Sequence, residues 1–314
     1  MIYTVTLSPA IDNIIKTNET LTRGKNNRIS GKTLDVGGKG THVSVGLTLL
    51  GEENICTGIT GKKDIEVLMD LLRQYHVKAS FYTASQKEVR NNFVLTDQSG
   101  KGSFMITDYG FALTKEMVES FFLKNLDSLN SSDTVIISGN PSMYTPTEVF
   151  RLFLEKLVEK NVRIVADVSD VFLYEVLKKK IYLIKPNQYE FSDMVGEEVH
   201  TLEDCIRAYK KNYTKLQNVE HISVSLGIGG SVFLSKEQIY TFTPPQVKTI
   251  NDTGSGDAFL SGLVFGLLKG YSIEDIGVLA TAIGASKAEE EKSTGFSTER
   301  VKDLKSRVIY KKIG

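Results

Sequence analysis

Hydrophobic and polar positions follow two different rhythms along the chain. Short runs that are apolar at nearly every step recur at Ile2–Leu7, Ile55–Ile59, Thr134–Ser138, Val162–Val168 and Ile181–Ile184. Such runs suit strands buried on both faces of a parallel sheet. Ala79–Tyr82, Ile222–Leu226, Ser231–Leu234 and Ile239–Phe242 also read as strands. Between these runs, apolar residues fall at helical spacing. Val43, Leu47 and Leu50 mark a helix over Thr41–Leu50, and others are predicted over Ile65–Tyr75, Val171–Leu177, Asn187–Met194, Leu202–Tyr213, Ser255–Leu268 and Ile273–Glu289. Thr145-Pro146-Thr147-Glu148 predicts a helix start with Thr145 as cap, Pro146 in the first turn and Glu148 closing a capping box. Ser272 and Asp275 mark another start. Strand and helix alternating through short loops predict an α/β fold with a doubly wound, mostly parallel sheet.

Two stretches break this rhythm, at about 12–36 and 89–107. The first is polar, with weak alternation from Arg28 to Val36. In the second, Val89–Thr96 and Ser103–Thr107 flank Asp97-Gln98-Ser99-Gly100, whose turn chemistry predicts a hairpin. Together they predict a small separate sheet, a lid over the carboxyl edge of the main one. With no internal repeat and no low-complexity linker, residues 1–314 are expected to form one domain.

Composition narrows the function. Thirty-eight basic residues balance 38 acidic ones, which argues against a nucleic-acid binder. The two cysteines, Cys56 and Cys205, are too far apart for a redox pair, and the four histidines form no zinc motif. No apolar run approaches a membrane span, and the first residues lack the basic start of a secretory signal. A cytoplasmic protein is expected.

Chemistry concentrates where small residues run into helices. In Asn251-Asp252-Thr253-Gly254-Ser255-Gly256-Asp257, backbone amides at a helix start favour an anion, and glycines let a phosphate approach. Asp257 adds a carboxylate that can take a proton from an attacking hydroxyl. Val36-Gly37-Gly38-Lys39-Gly40-Thr41-His42-Val43 offers a second flexible approach to a helix, without the spacing of a dinucleotide loop. Thr6-Leu7-Ser8-Pro9-Ala10-Ile11-Asp12 places the Asp12 carboxylate just after the first strand, at the edge where α/β ligands bind. Arg90, Lys25, Arg28 and Lys39 can contact a phosphate.

These segments resemble, in order, the signatures of the ribokinase/PfkB carbohydrate kinase family. Asn251–Asp257 is similar to D-T-x-G-A-G-D, with Asn251 in place of the leading Asp. The resemblance implies Asp257 as catalytic base and the amides of Gly254, Ser255 and Gly256 as the anion hole. Val36–Val43 is similar to G-G-K-G-x-N-V, with His42 replacing an Asn that contacts sugar hydroxyls. It implies Gly37, Gly38, Lys39, Gly40 and His42 at the sugar, together with Asp12. Ser138-Gly139-Asn140-Pro141 matches S-G-S-L-P-P in part and adds Ser138. Lys185-Pro186-Asn187-Gln188-Tyr189-Glu190 matches K-P-N-x-x-E. It implies Lys185 and Asn187 at the nucleotide, with Asn187 and Glu190 tuning Mg²⁺ through water. Ser223–Gly230 resembles V-S-L-G-x-x-G, which implies nucleotide contacts from Ser225, Gly227 and Gly230.

Gly24–Arg28 and Val89–Phe93 look like the lid segments of 1-phosphofructokinase and tagatose-6-phosphate kinase. That branch implies Lys25, Arg28, Arg90 and Asn92 around a phosphate already on the substrate. The expected activity is ATP- and Mg²⁺-dependent phosphorylation of a ketohexose phosphate. Fructose 1-phosphate leads, with tagatose 6-phosphate and fructose 6-phosphate as alternatives. A non-catalytic sugar-phosphate or nucleotide binder stays open, as does a kinase of unphosphorylated sugars. Relatives also imply a homodimer formed through the lid.

Overall fold

In the computed structural model, which describes residues 1–97 and 103–313, the apolar runs assemble into one ten-stranded sheet. The strands of the chain are β1 (Ile2–Thr6), β2 (Ala10–Thr17), β3 (Ile29–Gly37), β4 (Asn54–Lys63), β5 (Lys78–Glu88), β6 (Arg90–Thr96) and β7 (Ser103–Thr107). They continue as β8 (Thr134–Ser138), β9 (Arg163–Asp167), β10 (Ile181–Ile184), β11 (Val219–Ser225), β12 (Ser231–Ser235), β13 (Ile239–Thr243) and β14 (Ile309–Lys312). The large sheet has the order β14-β13-β12-β11-β10-β9-β8-β1-β4-β5. Strands β5 through β11 of that order run parallel, and β12 to β14 add an antiparallel edge.

Why these runs become central strands is visible in what each residue touches. On β8, Val135 and Ile137 enter one core cluster, and Ile136 enters the other. On β9, Ile164 and Val165 divide the same way. Both faces of the sheet are therefore covered, so every position needs an apolar side chain. One face packs on Phe121, Phe150 and Phe153; the other packs on the helices Ser255–Leu268 and Ile273–Ala288. Cys56 and Cys205 are buried free thiols, and burial pushes both up to about 12, as inert core cysteines should be.

The chain leaves β1 in one direction toward β4 and β5, and later fills the other side from β8 to β11. Strand order reverses beside β1, and a crevice opens at such a switch point, beyond the carboxyl ends of the strands. A second sheet, β3-β2-β6-β7, accounts for the two stretches that break the rhythm. Strands β6 and β7 pair antiparallel, as the predicted hairpin requires, while the turn residues 98–100 lie outside the described residues.

Some expectations need correcting. The stretch after β1 is not simply polar: Ala10–Ile14 of β2 is buried, because β2 is the central partner of β3 and β6. Thr145 does not cap the helix Thr147–Glu159. Pro146 holds the cap position without a side-chain bond, and Thr145 Oγ1 instead accepts from the Leu113 amide at 3.1 Å. The helix Lys115–Phe121, the helix Thr298–Lys305 and β14 were not foreseen. Strand β14 is exposed along its whole length, so no hydrophobic pattern marks it.

Candidate active site

The carboxyl ends of β1, β8, β9, β10 and β11 bring the predicted residues to one edge. Asp257 lies in the first turn of the helix Ser255–Leu268 and is 6% exposed. Gly254, at its N-cap, has φ +84°, and a Cβ there would stand 2.1 Å from the Ser293 carbonyl oxygen. Only glycine lets the loop turn this tightly into the helix. The predicted anion hole is altered in one respect. The Ser255 amide donates to the Asp252 carbonyl at 3.0 Å, closing a turn. The amides of Gly254 and Gly256 make no such backbone bond among the described residues, so they are the donors left for an anion.

Asn251 holds this loop in place. Its Oδ1 accepts from the Thr253 amide and its Nδ2 donates to the Glu291 carbonyl, both at 3.0 Å. The second bond needs an amide, which an Asp could not supply. Lys287, fully buried, donates to the Asn251 carbonyl at 3.0 Å. Burial pulls its pKa down to about 8, against the pull of Glu290, Asp252, Asp35 and Asp257. Sequence reasoning missed Lys287, because an isolated lysine in an apolar helix carries no motif.

Two more lysines meet at Asp167, the last residue of β9, which the motif reading also missed. Its Oδ1 lies 3.5 Å from Lys39 Nζ and 3.4 Å from Lys185 Nζ, and Ser138 Oγ donates to its Oδ2 at 3.3 Å. Burial would raise the Asp167 pKa, but the two ammonium groups outweigh burial and hold it below the usual carboxylate range. Asp167 in turn holds the Lys39 ammonium firmly charged. Lys185 Nζ stands 3.5 Å from where Gly256 would carry a Cβ, so this charge borders the anion hole. Two cations on one anion leave a positive excess where phosphoryl charge would gather. Ser138 serves this cluster from below and does not line the cleft.

On the other side, Asp12 is the third residue of β2 and is 2% exposed. The strand register sets it opposite Asn92, whose Nδ2 donates to Asp12 Oδ1 at 2.8 Å. Burial raises the Asp12 pKa, while His42, Asn92 and Arg90 restrain the rise. Gly37 is a close approach: a Cβ there would stand 2.2 Å from Asp12 Oδ1. Gly38, with φ +102°, caps the helix Lys39–Leu49, and Gly40 seats that helix against β1. Arg90 Nη1 donates to the Asp108 carbonyl at 3.2 Å, and its buried Nε has no partner among the described residues. An open cleft of about 560 Å³ runs past Thr6, Ser8, Lys39, Arg90, Asn140 and Asp170. Lys25 and Arg28 are exposed in the β2–β3 loop and do not line this cleft.

His42 departs from the sugar-contact role. Its Nδ1 lies 2.7 Å from Asp257 Oδ2, and its Nε2 lies 3.0 Å from the Val36 carbonyl. At the far end, Ser225 closes β11 and bridges to Asn187, with Gly227 and Gly230 framing the turn that follows. Asn187 and Glu190 form a capping box. Asn187 Oδ1 accepts from the Tyr189 and Glu190 amides, and Glu190 Oε2 accepts from the Asn187 amide. Among the described residues Glu190 Oε1 has no hydrogen-bond partner, which fits a magnesium ion held mostly by waters and phosphates. Among the described residues no group of three metal-ligating side chains exists, and no helix is long and apolar enough to cross a membrane.

A sheet edge at a switch point, a glycine turn into a helix, and a carboxylate beside free amides and cations form a site for phosphoryl transfer. The family model described as pfkB family carbohydrate kinase matches residues 3–300. The chain belongs to this family. It is a sugar kinase that uses ATP with Mg²⁺. It is 29% identical over 299 residues to the 1-phosphofructokinase of Bacillus subtilis, covering 93% of each chain. It is 30% identical over 288 residues to the 1-phosphofructokinase of Escherichia coli K12, covering 90% of this chain and 89% of that one. In fold it is similar to phosphofructokinase-2 from Escherichia coli in complex with substrates and products, with TM-score 0.90 and 22% identity over 98% of both chains.

Proposed function

We propose that this kinase phosphorylates fructose 1-phosphate, giving fructose 1,6-bisphosphate. Arg90 carries the phosphosugar reading. It is a cation in the cleft whose buried Nε lacks a partner among the described residues, so an anionic ligand would satisfy it. An unphosphorylated sugar would leave that donor unpaired. The likeness to two 1-phosphofructokinases favours the fructose ester.

In this reading Asp12 and Asn92 bind sugar hydroxyls, and Arg90 holds the ester phosphate. Ser225, Gly227, Gly230 and Lys185 lie along the nucleotide, and Glu190 reaches Mg²⁺ through water. Bound Mg·ATP supplies the phosphoryl group and part of the charge neutralisation. Asp257 takes the hydroxyl proton as that oxygen bonds to phosphorus and the bridging oxygen leaves with ADP. The Gly254 and Gly256 amides, with Lys185 and Lys39, hold the charge on the transferring group. The small sheet acts as a lid that excludes water. A cytoplasmic location goes with this reading, because both reactants are phosphate esters that do not cross membranes unaided.

Asp257→Asn tests the core of the proposal. It should lower turnover by about 10²–10⁴-fold while sparing sugar-phosphate and ATP binding. Turnover close to wild type would remove Asp257 as the base.

A further inference from the structure

We infer that His42 is a positioning residue for the base Asp257, a cationic clamp that fixes one carboxylate oxygen and keeps the carboxylate ionised. This rests on the reading of Asp257 as base and deepens it.

The geometry excludes a free sugar contact, because both ring nitrogens are already occupied. Nε2 lies 3.0 Å from the Val36 carbonyl, which can only accept, so Nε2 carries a proton. Nδ1 lies 2.7 Å from Asp257 Oδ2. In a neutral ring Nδ1 would then turn a lone pair toward a carboxylate oxygen, and the two acceptors would repel. A second ring proton turns that clash into a charge-assisted hydrogen bond.

The surroundings favour the same state. Three carboxylates from three elements act on the ring. Asp257 comes from the helix Ser255–Leu268, and Asp12 from β2, with its Oδ2 3.9 Å from Nε2. Asp35 comes from β3, where it also accepts from the Tyr75 hydroxyl at 2.8 Å. Lys39 lies on the ring's own helix and Lys287 on the neighbouring one, and both act on Asp257 from further off. Burial opposes the charge on His42, but the bonded Asp257, with Asp12 and Asp35 behind it, lifts its pKa to about 9.

Two consequences follow for the reaction. With Oδ2 held by His42, Oδ1 is the oxygen left to accept the substrate's proton. The second concerns charge. A sugar phosphate and ATP bring several negative charges close to a nearly buried carboxylate, and like charges repel. A fixed cation at 2.7 Å opposes that. The clamp also ties the base to the small sheet, since Val36 belongs to β3 and its carbonyl also accepts from Thr294 Oγ1 at 3.2 Å.

Nitrogen-15 NMR of the four histidines in the intact protein, assigned with His42→Asn, reads the protonation directly. At pH 7.5 both nitrogens of His42 should show the imidazolium signature and titrate near pH 9. In Asp257→Asn that titration should fall toward the ordinary value. A neutral His42 ring at pH 7.5 overturns the proposal.

Kinetics of His42→Asn give a second reading. The acid-side limb of kcat should move up by roughly one pH unit, with the KM for sugar phosphate little changed. At the acid end turnover would then drop about tenfold and recover as pH rises. An unmoved limb would mean that His42 only fills space. Turnover surviving in Asp257→Asn would instead defeat the base assignment, while the NMR result would still show whether the pair exists.

Discussion

At the scale of single residues, the site is a set of buried charges that satisfy one another incompletely. Arg90 is the clearest case, with a backbone acceptor for Nη1 and, among the described residues, none for Nε. Charge-assisted hydrogen bonds to a phosphate contribute about 1.5–3 kcal/mol each. Arg90→Ala should therefore raise the KM for a sugar phosphate roughly 10- to 100-fold and leave the KM for ATP nearly unchanged. An unchanged sugar-phosphate KM would place the ester phosphate elsewhere. His42 also makes stability depend on pH. Its pKa rises from 6.5 in the unfolded chain to about 9 in the folded one. Its contribution is therefore fully present below pH 6.5 and is lost as pH rises through about 9. Melting temperature should fall more steeply over that window in the wild type than in His42→Asn, and parallel curves from calorimetry would show no such contribution.

At the scale of elements, helix starts position the chemistry. The capping box of Asn187 and Glu190 fixes the start of the helix Gln188–Val195 beside Ser225. Asn187→Ala removes an acceptor for two amides and should cost about 1 kcal/mol, read as a lower denaturant midpoint with an unchanged slope. At the other helix start, Gly254→Ala would push a Cβ against the Ser293 carbonyl in a left-handed conformation. That change should displace the anion hole and lower kcat far more than it raises the KM for the sugar. Much of this was legible in the sequence, because glycine turns, caps and buried strand runs are local patterns. Asp257, Asp12, Lys39 and Lys185 could be named because each sits in or beside such a pattern. What was not legible came from long-range pairing. Asp167 joins Lys39 and Lys185 only when β9 lies between β8 and β10, and Lys287 reaches Asn251 only through helix packing. Likewise His42 meets Asp257 across 215 residues of chain, a contact that the family resemblance, which implied a sugar contact there, does not contain.

At the scale of the whole molecule, a ten-stranded sheet underlies the cleft, and the small sheet carries Asp12, Arg90 and Asn92, the residues proposed to recognise the sugar. Strand register sets Phe93 opposite Ile106 and Leu95 opposite Phe104, so these four share one face of the small sheet. Phe93, Phe104 and Ile106 are 38%, 58% and 57% exposed. An apolar face this open suits a second copy of the chain, and we propose a homodimer clasped there. Ile106→Asp should convert it to a monomer in light scattering; a wild-type protein already monomeric at assay concentration would contradict the clasp.

The most direct test of the central claim is ADP release with Mg·ATP against fructose 1-phosphate, tagatose 6-phosphate, fructose 6-phosphate, fructose, ribose and a nucleoside. The site described here predicts strong turnover of fructose 1-phosphate, with the highest kcat/KM of the panel and little for the unphosphorylated sugars. Turnover confined to an unphosphorylated sugar would contradict the role given to Arg90, and silence across the panel would contradict the proposed reaction itself.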